Sequence, residues 1–324
     1  MNPDSKYTRR TLLAGSLATL AASGTISETG VPQRAAAAQD SEQPALPWID
    51  AHSHIWTPDT STFGLAPGVT VDDLAPRSFT DDQLLAVARP EGVGRVVLIQ
   101  HTLFHGFDNA YLIDAWRRHP QLFRVVGMVD DLRPHAGKAM QQLLKLGVTG
   151  FRITPRNGIN NWLQTDGMQD MWRTAAQTRQ PMCCLINAAN LPEVDAACTK
   201  HPETPVVIDH FARIGVDGTI RAQDVDQLCG LSRHRGVKVK LSAFYALGMK
   251  VPAHDELIPM IKRLYESFGA ERLMWASDCP YQLDNDNNYA ASISLIRDRI
   301  DFVTAAERQQ LLAGTAEQTF FFDQ

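Results

Sequence analysis

Eight short apolar segments recur along this 324-residue chain, and a stretch with helical periodicity follows each of them. In order they are PWIDAHSHI, GRVVLIQH, FRVVGMVD, VTGFRIT, PMCCLIN, PVVIDHF, VKVKLSAF and RLMWASD. Most are continuously hydrophobic rather than alternating, which is typical of strands buried on both faces of a parallel sheet. The pattern predicts an α/β fold, a single distorted (β/α)8 TIM barrel. A doubly wound open sheet is the structural alternative, but no GxGxxG motif follows the first segment.

The connections between these segments are asymmetric in length. The loop after the first strand, about residues 57–79, is the longest, and the loops after the fourth and eighth strands are also long and polar. The opposite connections, such as RHPQL and KHPETP, are short. Since reactive groups of such barrels sit at the carboxyl ends of the strands, we expect long loops to cover one functional face there.

Two helix boundaries are marked by the sequence. Thr80 with Gln83 three residues later forms a capping-box pattern, which predicts a helix start. Gly269 follows the amphipathic stretch DELIPMIKRLYESFG and predicts its end. Pro259 must then lie in the first turn of that helix, because deeper in the helix it would remove a backbone hydrogen bond.

The N-terminus has the character of a targeting segment. Paired Arg9 and Arg10 precede a short apolar run and a small-residue stretch that ends at Ala38. This pattern resembles a twin-arginine export signal, so we predict a removed signal over residues 1–38 and a barrel domain over residues 39–324. The predicted location is periplasmic or extracellular. The apolar run is shorter than the ~20 residues of a spanning helix, so no stable membrane span is expected.

Composition narrows the class of protein further. Hydrophobic residues make up 44% and charged residues 21%, which is enough for a large core. The net charge of -5 gives no basic surface for nucleic acid. The five cysteines are odd in number and include no CxxC pair, so neither a disulfide framework nor a cysteine zinc cluster is expected. Cys183 and Cys184 are predicted to be buried in the fifth strand.

The first strand carries three polar residues at alternate positions. Side chains two apart in a strand share a face, so Asp50, His52 and His54 are expected to point together into the barrel. The intervening set, from Ile49 to Ile55, is small or apolar and suits packing under helices. Buried polar groups need partners, so the three polar side chains must pair with each other, a metal or a ligand. A hydrogen-bonded cluster without chemistry is the structural alternative.

Other strands end in residues suited to the same site. Asp278 ends the eighth strand and could bind a metal, act as a general base or orient a histidine. His210 ends the sixth strand, with Asp209 expected to face the opposite way. Arg152 ends the fourth strand and suits a carboxylate or a polarised carbonyl, although a salt bridge to Asp50 or Asp278 is an alternative.

Taken together, the motifs DxHxH, DH and SDxP in this order resemble the amidohydrolase superfamily. The segments GFRI, VKLSAFY, RLMWASDCP and LLAGTAEQTFF are similar to the amidohydrolase-related branch that contains 2-pyrone-4,6-dicarboxylate lactonase and L-fucono-lactonases. The resemblance spans most of residues 48–322. It implies a barrel hydrolase whose site includes His52, His54, His210 and Asp278.

The chain departs from the metal-binding pattern of that superfamily. The fifth strand ends without the usual histidine, and Asn187 or a neighbour takes its place. Arg152 stands where a bridging lysine would be, so a binuclear centre is not expected. A single divalent ion, such as Zn²⁺, would have His52, His54 and Asp278 as ligands, which is enough for catalytic zinc. The branch that this chain resembles also includes enzymes that work without metal. A metal-dependent site and a metal-free site are therefore both open hypotheses.

The leading functional hypothesis is a lactonase that opens a small cyclic ester from a sugar acid or from aromatic breakdown. Asp278 is then the general base, and His52, His54 and His210 polarise the carbonyl. The predicted substrate contacts are Arg152, Asn187, Lys240 and His101. A metal-dependent decarboxylase of the same superfamily and a non-catalytic small-molecule binding barrel are the alternatives. The expected partner is a small-molecule substrate. The sequence leaves open whether the protein forms a homo-oligomer.

Overall fold

The computed structural model of the protein describes residues 47–284 and 286–322. The predicted export signal over residues 1–38 lies outside these residues, so the signal, its removal and the location of the protein remain predictions. Among the described residues, no helix combines the length and the apolar character that a membrane crossing requires.

Eight parallel strands form one sheet in the order of the sequence, from β1 to β8. Their bounds are β1 Trp48–Ser53, β2 Val93–Ile99, β3 Phe123–Gly127, β4 Val148–Ile153, β5 Met182–Cys184, β6 Val206–Ile208, β7 Val237–Leu241 and β8 Leu273–Trp275. All eight predicted segments are strands, and the sheet curves until its last strand approaches its first. The predicted distorted (β/α)8 barrel is confirmed.

Helices fill the crossovers between the strands. They are α1 Asp81–Ala88, α2 Thr102–His105, α3 Ala110–Arg118, α4 Ala136–Leu144, α5 Asp166–Thr178, α6 Leu191–Lys200, α7 Ala222–Gly230, α8 Ile258–Phe268, α9 Tyr289–Ser294, α10 Ala305–Gln309 and α11 Thr315–Phe320. The predicted boundaries hold: Thr80 and Gln83 form a capping box at α1, and Gly269 caps the end of α8 with Pro259 in its first turn.

Two apolar layers hold the barrel together. The inner layer lies inside the sheet and includes Val97, Val126, Cys183 and Met274. The outer layer packs the other face of the strands against the helices. Phe320 of α11 joins the inner layer, so the C-terminal helix closes the end of the barrel opposite the long loops. All five cysteines are free and buried, and Cys183 and Cys184 lie in β5 as predicted.

A β-bulge in β1 changes which face its residues occupy. Asp50 pairs with Val96 and Ser53 pairs with Leu98, so three steps along β1 match two along β2. The extra residue resets the alternation of side chains. Ile49 and Ala51 therefore face the barrel interior, where they join the inner apolar layer. The prediction that these two pack under the helices is wrong, because strict alternation cannot anticipate a bulge.

Asp50 lies on the helix-facing side of the sheet, not inside the barrel beside His52 and His54 as predicted. Its carboxylate accepts hydrogen bonds from the Ser277 amide at 2.9 Å, the Ser53 hydroxyl at 2.7 Å and the Tyr289 hydroxyl at 2.7 Å, and also from the Ser277 hydroxyl. Complete burial raises the pKa of Asp50, although these donors oppose the shift. Asp50 thus ties β1 to the segment after β8 and to α9.

The barrel closes just beyond the end of β8. The Asp278 amide donates to the His52 carbonyl at 2.8 Å, and the His54 amide donates to the Cys279 carbonyl at 2.7 Å. We call these two bonds, together with the Asp50 contacts, the β1–β8 seam. Since three of the four bonded residues, His52, His54 and Asp278, are predicted site residues, closing the barrel also places their side chains side by side.

The seam predicts a stability difference between two tyrosine variants. Tyr289→Phe removes a buried donor to the Asp50 carboxylate, so the free energy of unfolding should fall by about 1.5–3 kcal/mol in chemical denaturation. Tyr265→Phe is the matched control, because its hydroxyl donates to Glu307 at the molecular surface. It should change stability by less than about 0.5 kcal/mol. Equal losses in the two variants would contradict a structural role for the Asp50 contacts.

Candidate active site

A cavity of about 480 Å³ opens at the carboxyl ends of the strands. Its walls carry six of the predicted site residues, namely His54, His101, Arg152, Asn187, His210 and Asp278. Apolar side chains, including Leu103, Leu185, Val216 and Leu247, form much of the remaining surface. The cavity is therefore a largely apolar pocket with one polar wall, on the face where the long loops lie.

The Asp278 carboxylate stands at the centre of the polar wall. Its Oδ1 atom lies 3.3 Å from His54 Nε2, 3.4 Å from His52 Nε2 and 3.8 Å from His210 Nε2. Its Oδ2 atom accepts a 2.8 Å hydrogen bond from the Tyr245 hydroxyl. The backbone at Asp278 has a φ of 63°, in the left-handed region, and this turn directs the side chain back toward β1. The structure thus brings together the four residues predicted to be catalytic.

His54 is held in one tautomer by the neighbouring strand. Its Nδ1 atom lies 2.8 Å from the Ile99 carbonyl at the end of β2, so the Nδ1 proton is donated there. The lone pair of Nε2 then points toward Asp278. Burial lowers the pKa of His54 well below its ordinary value, with a further contribution from the nearby Arg152 charge. The imidazole is neutral and serves as an acceptor at the cavity wall.

His210 lies next to His52, with 4.5 Å between the two ring centroids. Its Nδ1 atom lies 2.8 Å from the Ser242 hydroxyl, next to the end of β7. Burial lowers the pKa of His210 to about 4, although Asp278 and Asp209 oppose the shift. A neutral imidazole with Nε2 toward Asp278 can therefore donate or accept at neutral pH.

The segment that carries His210 has an unusual backbone. The φ angles of His210, Phe211, Ala212 and Arg213 lie between 52° and 55°, so four successive residues are left-handed. This conformation costs roughly 1–2 kcal/mol for each L-residue. Phe211 and Ala212 are fully buried, and that packing holds the turn in place. His210 and Arg213, one turn apart, both reach the cavity wall.

Asp209 faces the barrel interior, so the prediction that it points the opposite way from His210 is wrong. Alternation along β6 puts Val207 and Asp209 inside, and the left-handed turn then brings His210 inside as well. Asp209 is fully buried and lies 3.1 Å from Lys240 Nζ and 3.5 Å from Arg152 Nη2. Burial alone would raise the pKa of Asp209, but Lys240, His52 and Arg152 hold it well below its ordinary value.

Lys240 does not reach the cavity, which corrects its predicted contact with substrate. Its side chain is 0% exposed, and its Nζ atom lies 3.1 Å from His52 Nδ1. The physical reason is depth: Lys240 sits within β7 rather than in the loop after it, so its ammonium reaches only the layer beneath His52. Its ion pair with Asp209 makes it a structural cation of the barrel interior.

Arg152 lies between the cavity and that buried layer. It is 5% exposed and contributes to the cavity wall. Its Nη2 atom lies 2.7 Å from His52 Nε2, so the guanidinium donates to the imidazole lone pair. Its carboxylate partner is Asp209, and not Asp50 or Asp278 as the salt-bridge alternative held. His52 is thus buried between Arg152 and Lys240, and its burial, followed by the Lys240 charge, lowers its pKa well below the ordinary value.

The two remaining predicted contacts lie at the cavity edge. His101 contributes to the wall, with its Nε2 atom 3.1 Å from the Tyr281 hydroxyl. Asn187 is exposed at the mouth, where it lines the cavity and precedes the short turn that follows β5. Its backbone amide donates to the Asn190 side chain at 3.2 Å.

Three residues of the site were not predicted from the sequence. Tyr245, Tyr281 and Arg213 line the cavity, and Tyr245 bonds directly to Asp278. Tyr245 ends the segment VKLSAFY, whereas Tyr281 lies just beyond SDCP and Arg213 just beyond the DH motif. Their position after a strand end was a usable signal, but nothing in the sequence fixes the turns that direct them inward.

The donor set suits one divalent ion. One ligand atom each from His52, His54 and Asp278 lies within 4.8 Å of the others. The separations of 3.3 and 3.4 Å are close to the roughly 3.3 Å between ligands of a tetrahedral zinc ion. The His54 tautomer, fixed by a carbonyl, is also one that metal ligands adopt. However, the His52 Nε2 lone pair that an ion would need already accepts the Arg152 bond.

Known proteins resemble this chain across the barrel. It is 28% identical to an L-fucono-1,5-lactonase of Burkholderia ambifaria over 235 residues, which covers 72% of this chain and 80% of the relative. It is 27% identical to a 4-sulfomuconolactone hydrolase of Rhizobium radiobacter over 237 residues, 72% of this chain and 75% of the relative.

A solved structure has the same fold. The crystal structure of a probable 2-pyrone-4,6-dicarboxylic acid hydrolase from Acinetobacter baumannii, with citric acid bound, superposes with a TM-score of 0.71 at 20% identity, covering 85% of this chain and 100% of that one. The family profile described as amidohydrolase (Amidohydro_2) matches residues 49–322. This match extends from β1 through α11 and includes every residue of the site. The chain therefore belongs to the amidohydrolase family and is an enzyme of the amidohydrolase-related hydrolase type.

Proposed function

We propose that this enzyme hydrolyses a lactone, a small cyclic ester, by attack of a water molecule that Asp278 activates. The observation that carries the proposal is the convergence of three neutral imidazoles on one carboxylate, Asp278, which lines a small cavity. The lactone hydrolases among its relatives support the same reaction class.

Asp278 is placed to act as the general base. Its Oδ1 atom faces the histidines, while Tyr245 holds Oδ2 and so fixes the plane of the carboxylate. Asp278 accepts one proton from water as the water oxygen bonds to the lactone carbonyl carbon. The bond between that carbon and the ring oxygen then breaks, and Asp278 returns the proton to the leaving alkoxide. The product is an open hydroxy acid, and the balance requires no oxidant or reductant.

The imidazoles stabilise the charge that forms on the carbonyl oxygen. When the Ser242 hydroxyl donates to His210 Nδ1, the Nε2 proton of His210 faces the cavity and can donate to that oxygen. His54 keeps its Nε2 lone pair for the water, since its Nδ1 proton is committed to the Ile99 carbonyl. A divalent ion held by His52, His54 and Asp278 would add Lewis-acid polarisation of the carbonyl.

The cavity favours a lactone that carries an acidic group. Arg213 lines the wall, and among the described residues its guanidinium makes no ion pair. Burial, followed by the nearby Arg152 charge, lowers the pKa of Arg213, so an anion between the two cations would relieve their repulsion. Arginine binds carboxylates through paired hydrogen bonds. The apolar wall at Leu185 and Leu247 suits the ring of such a substrate.

The two alternatives are less well supported. The decarboxylases that share this motif set normally have a histidine at the end of β5, and this chain has Leu185, Ile186 and Asn187 there. A non-catalytic binding barrel has no need for an acid–base group directed at three neutral imidazoles.

Asp278→Asn tests the general base. An amide cannot accept the proton from water, so kcat should fall by about 10²–10⁴-fold while the far-ultraviolet circular dichroism stays native. Asp217→Asn is the control, because Asp217 is an exposed acid paired with Arg221 on the loop after β6. A fully active Asp278→Asn enzyme would remove Asp278 from its assigned role.

A panel of paired lactones tests the substrate class. Each pair shares a ring and differs in one carboxylate, and a pH indicator reports the acid released. We expect hydrolysis of carboxylated members, and Arg213→Gln should raise their KM about tenfold with little change in kcat. If the native enzyme hydrolyses both members of each pair equally well, Arg213 does not bind the carboxylate, but the proposed reaction stands. No hydrolysis of any lactone would reject the proposed reaction.

The protonation state of His210 can be followed by NMR of ¹⁵N-histidine-labelled protein. Since burial lowers its pKa to about 4, its ring nitrogens should keep neutral-imidazole shifts as the pH falls through 6 and 5. A model peptide should titrate near pH 6.5 under the same conditions. His210→Gln assigns the signal by its loss. Protonation of His210 near pH 6.5 would contradict the role of a neutral donor.

A further inference from the structure

We propose that the Arg152 guanidinium is the resident cation of this active site and that a divalent ion can bind His52, His54 and Asp278 only by displacing it. Arg152 thereby sets the metal affinity of the enzyme. The inference goes beyond the proposed reaction, because it concerns competition between a side chain and an ion whatever substrate the enzyme takes.

The geometry at His52 leaves no lone pair free for an ion. Arg152 Nη2 can only donate, so its contact makes His52 Nε2 the acceptor and leaves the proton of the neutral ring on Nδ1, which lies 3.1 Å from Lys240 Nζ and 3.6 Å from Asp209 Oδ1. The single remaining lone pair, on Nε2, accepts from Arg152 Nη2 at 2.7 Å. A metal ion needs the same lone pair, because His52 offers Nε2 to the group that includes Asp278. One lone pair cannot serve both the guanidinium and the ion.

The buried charges around His52 also balance. Around His52, the cations are Lys240 and Arg152, and the anions are Asp209 and Asp278. Two positive and two negative groups sum to zero, while His52 is neutral. Adding an ion of charge +2 would leave a net charge of +2 in a nearly water-free layer, which is costly. Departure of Arg152 from His52 reduces that excess, so charge and geometry favour the same exchange.

The cavity beside Arg152 has room for its side chain to move away from His52. Its guanidinium contributes to the cavity wall and is 5% exposed, whereas Lys240 is sealed beneath His52 with 0% exposure. Arg152 can therefore turn into the cavity when an ion arrives. Lys240 stays and continues to neutralise Asp209 at 3.1 Å, so the buried carboxylate is not left without a cation.

The test is a Zn²⁺ affinity measurement on chelator-stripped protein, by competition with a chromophoric chelator. Arg152→Gln removes the competing cation and should bind Zn²⁺ at least about tenfold more tightly than the native enzyme. Arg152→Lys keeps the charge but loses the planar donor, so its affinity should fall between the two. This second variant also keeps the test valid if Arg152→Gln does not fold.

Two control variants show whether the change in Zn²⁺ affinity arises at His52. Arg213→Gln removes a cation from the same cavity wall without touching His52, so it should raise Zn²⁺ affinity less than Arg152→Gln does. His54→Ala combined with Arg152→Gln removes a ligand and should abolish the gain. Co²⁺ bound to Arg152→Gln should also give the visible absorption of a four-coordinate site, a readout that does not depend on turnover.

Each possible result of these measurements either supports or overturns competition between Arg152 and the ion. Tighter Zn²⁺ binding by Arg152→Gln, lost again on removal of His54, supports competition at His52. Equal or weaker binding by Arg152→Gln would overturn it, as would the absence of Zn²⁺ binding in every variant. A crystal structure of the native enzyme with Zn²⁺ on His52 Nε2 and Arg152 still bonded to that atom would also overturn it.

Discussion

The β1–β8 seam holds the barrel closed and sets the positions of the site residues. Two backbone hydrogen bonds close the barrel there, and both involve site residues: Asp278 with His52, and His54 with Cys279. The buried Asp50 carboxylate reinforces the same junction from the helix side through Ser277, Ser53 and Tyr289. Closure of the sheet therefore also brings Asp278 beside His52 and His54, and a barrel that failed to close would lose this arrangement as well.

A second constraint is the electrostatic layer beneath the cavity. Lys240, Asp209 and Arg152 form a buried sequence of alternating charge, and His52 lies against all three. This layer keeps His52 neutral and holds Arg152 at the cavity floor. Arg152 therefore occupies the lone pair of His52 that a metal ion would need.

The sequence predicted the barrel and most of the site because both follow from local patterns. Continuous apolar runs identify strands, and in a parallel barrel every strand end lies on one face, so Asp278, His210 and Arg152 were expected near His54. The errors concern Asp50, Asp209 and Lys240, and each has a three-dimensional origin. A bulge turned Asp50 outward, a left-handed turn placed both Asp209 and His210 inside, and the depth of Lys240 in β7 kept it from the cavity. None of these features alters the hydrophobic pattern from which faces are assigned.

We propose that groups from the first and last strands act together on one ester carbonyl. The decisive experiment is a crystal structure of the Asp278→Asn variant with an unreacted carboxylated lactone. We expect the lactone carbonyl carbon to lie beside residue 278, its oxygen within hydrogen-bonding distance of His210 Nε2, and its carboxylate at Arg213. A lactone bound with its carbonyl directed away from both histidines and from residue 278 would contradict it.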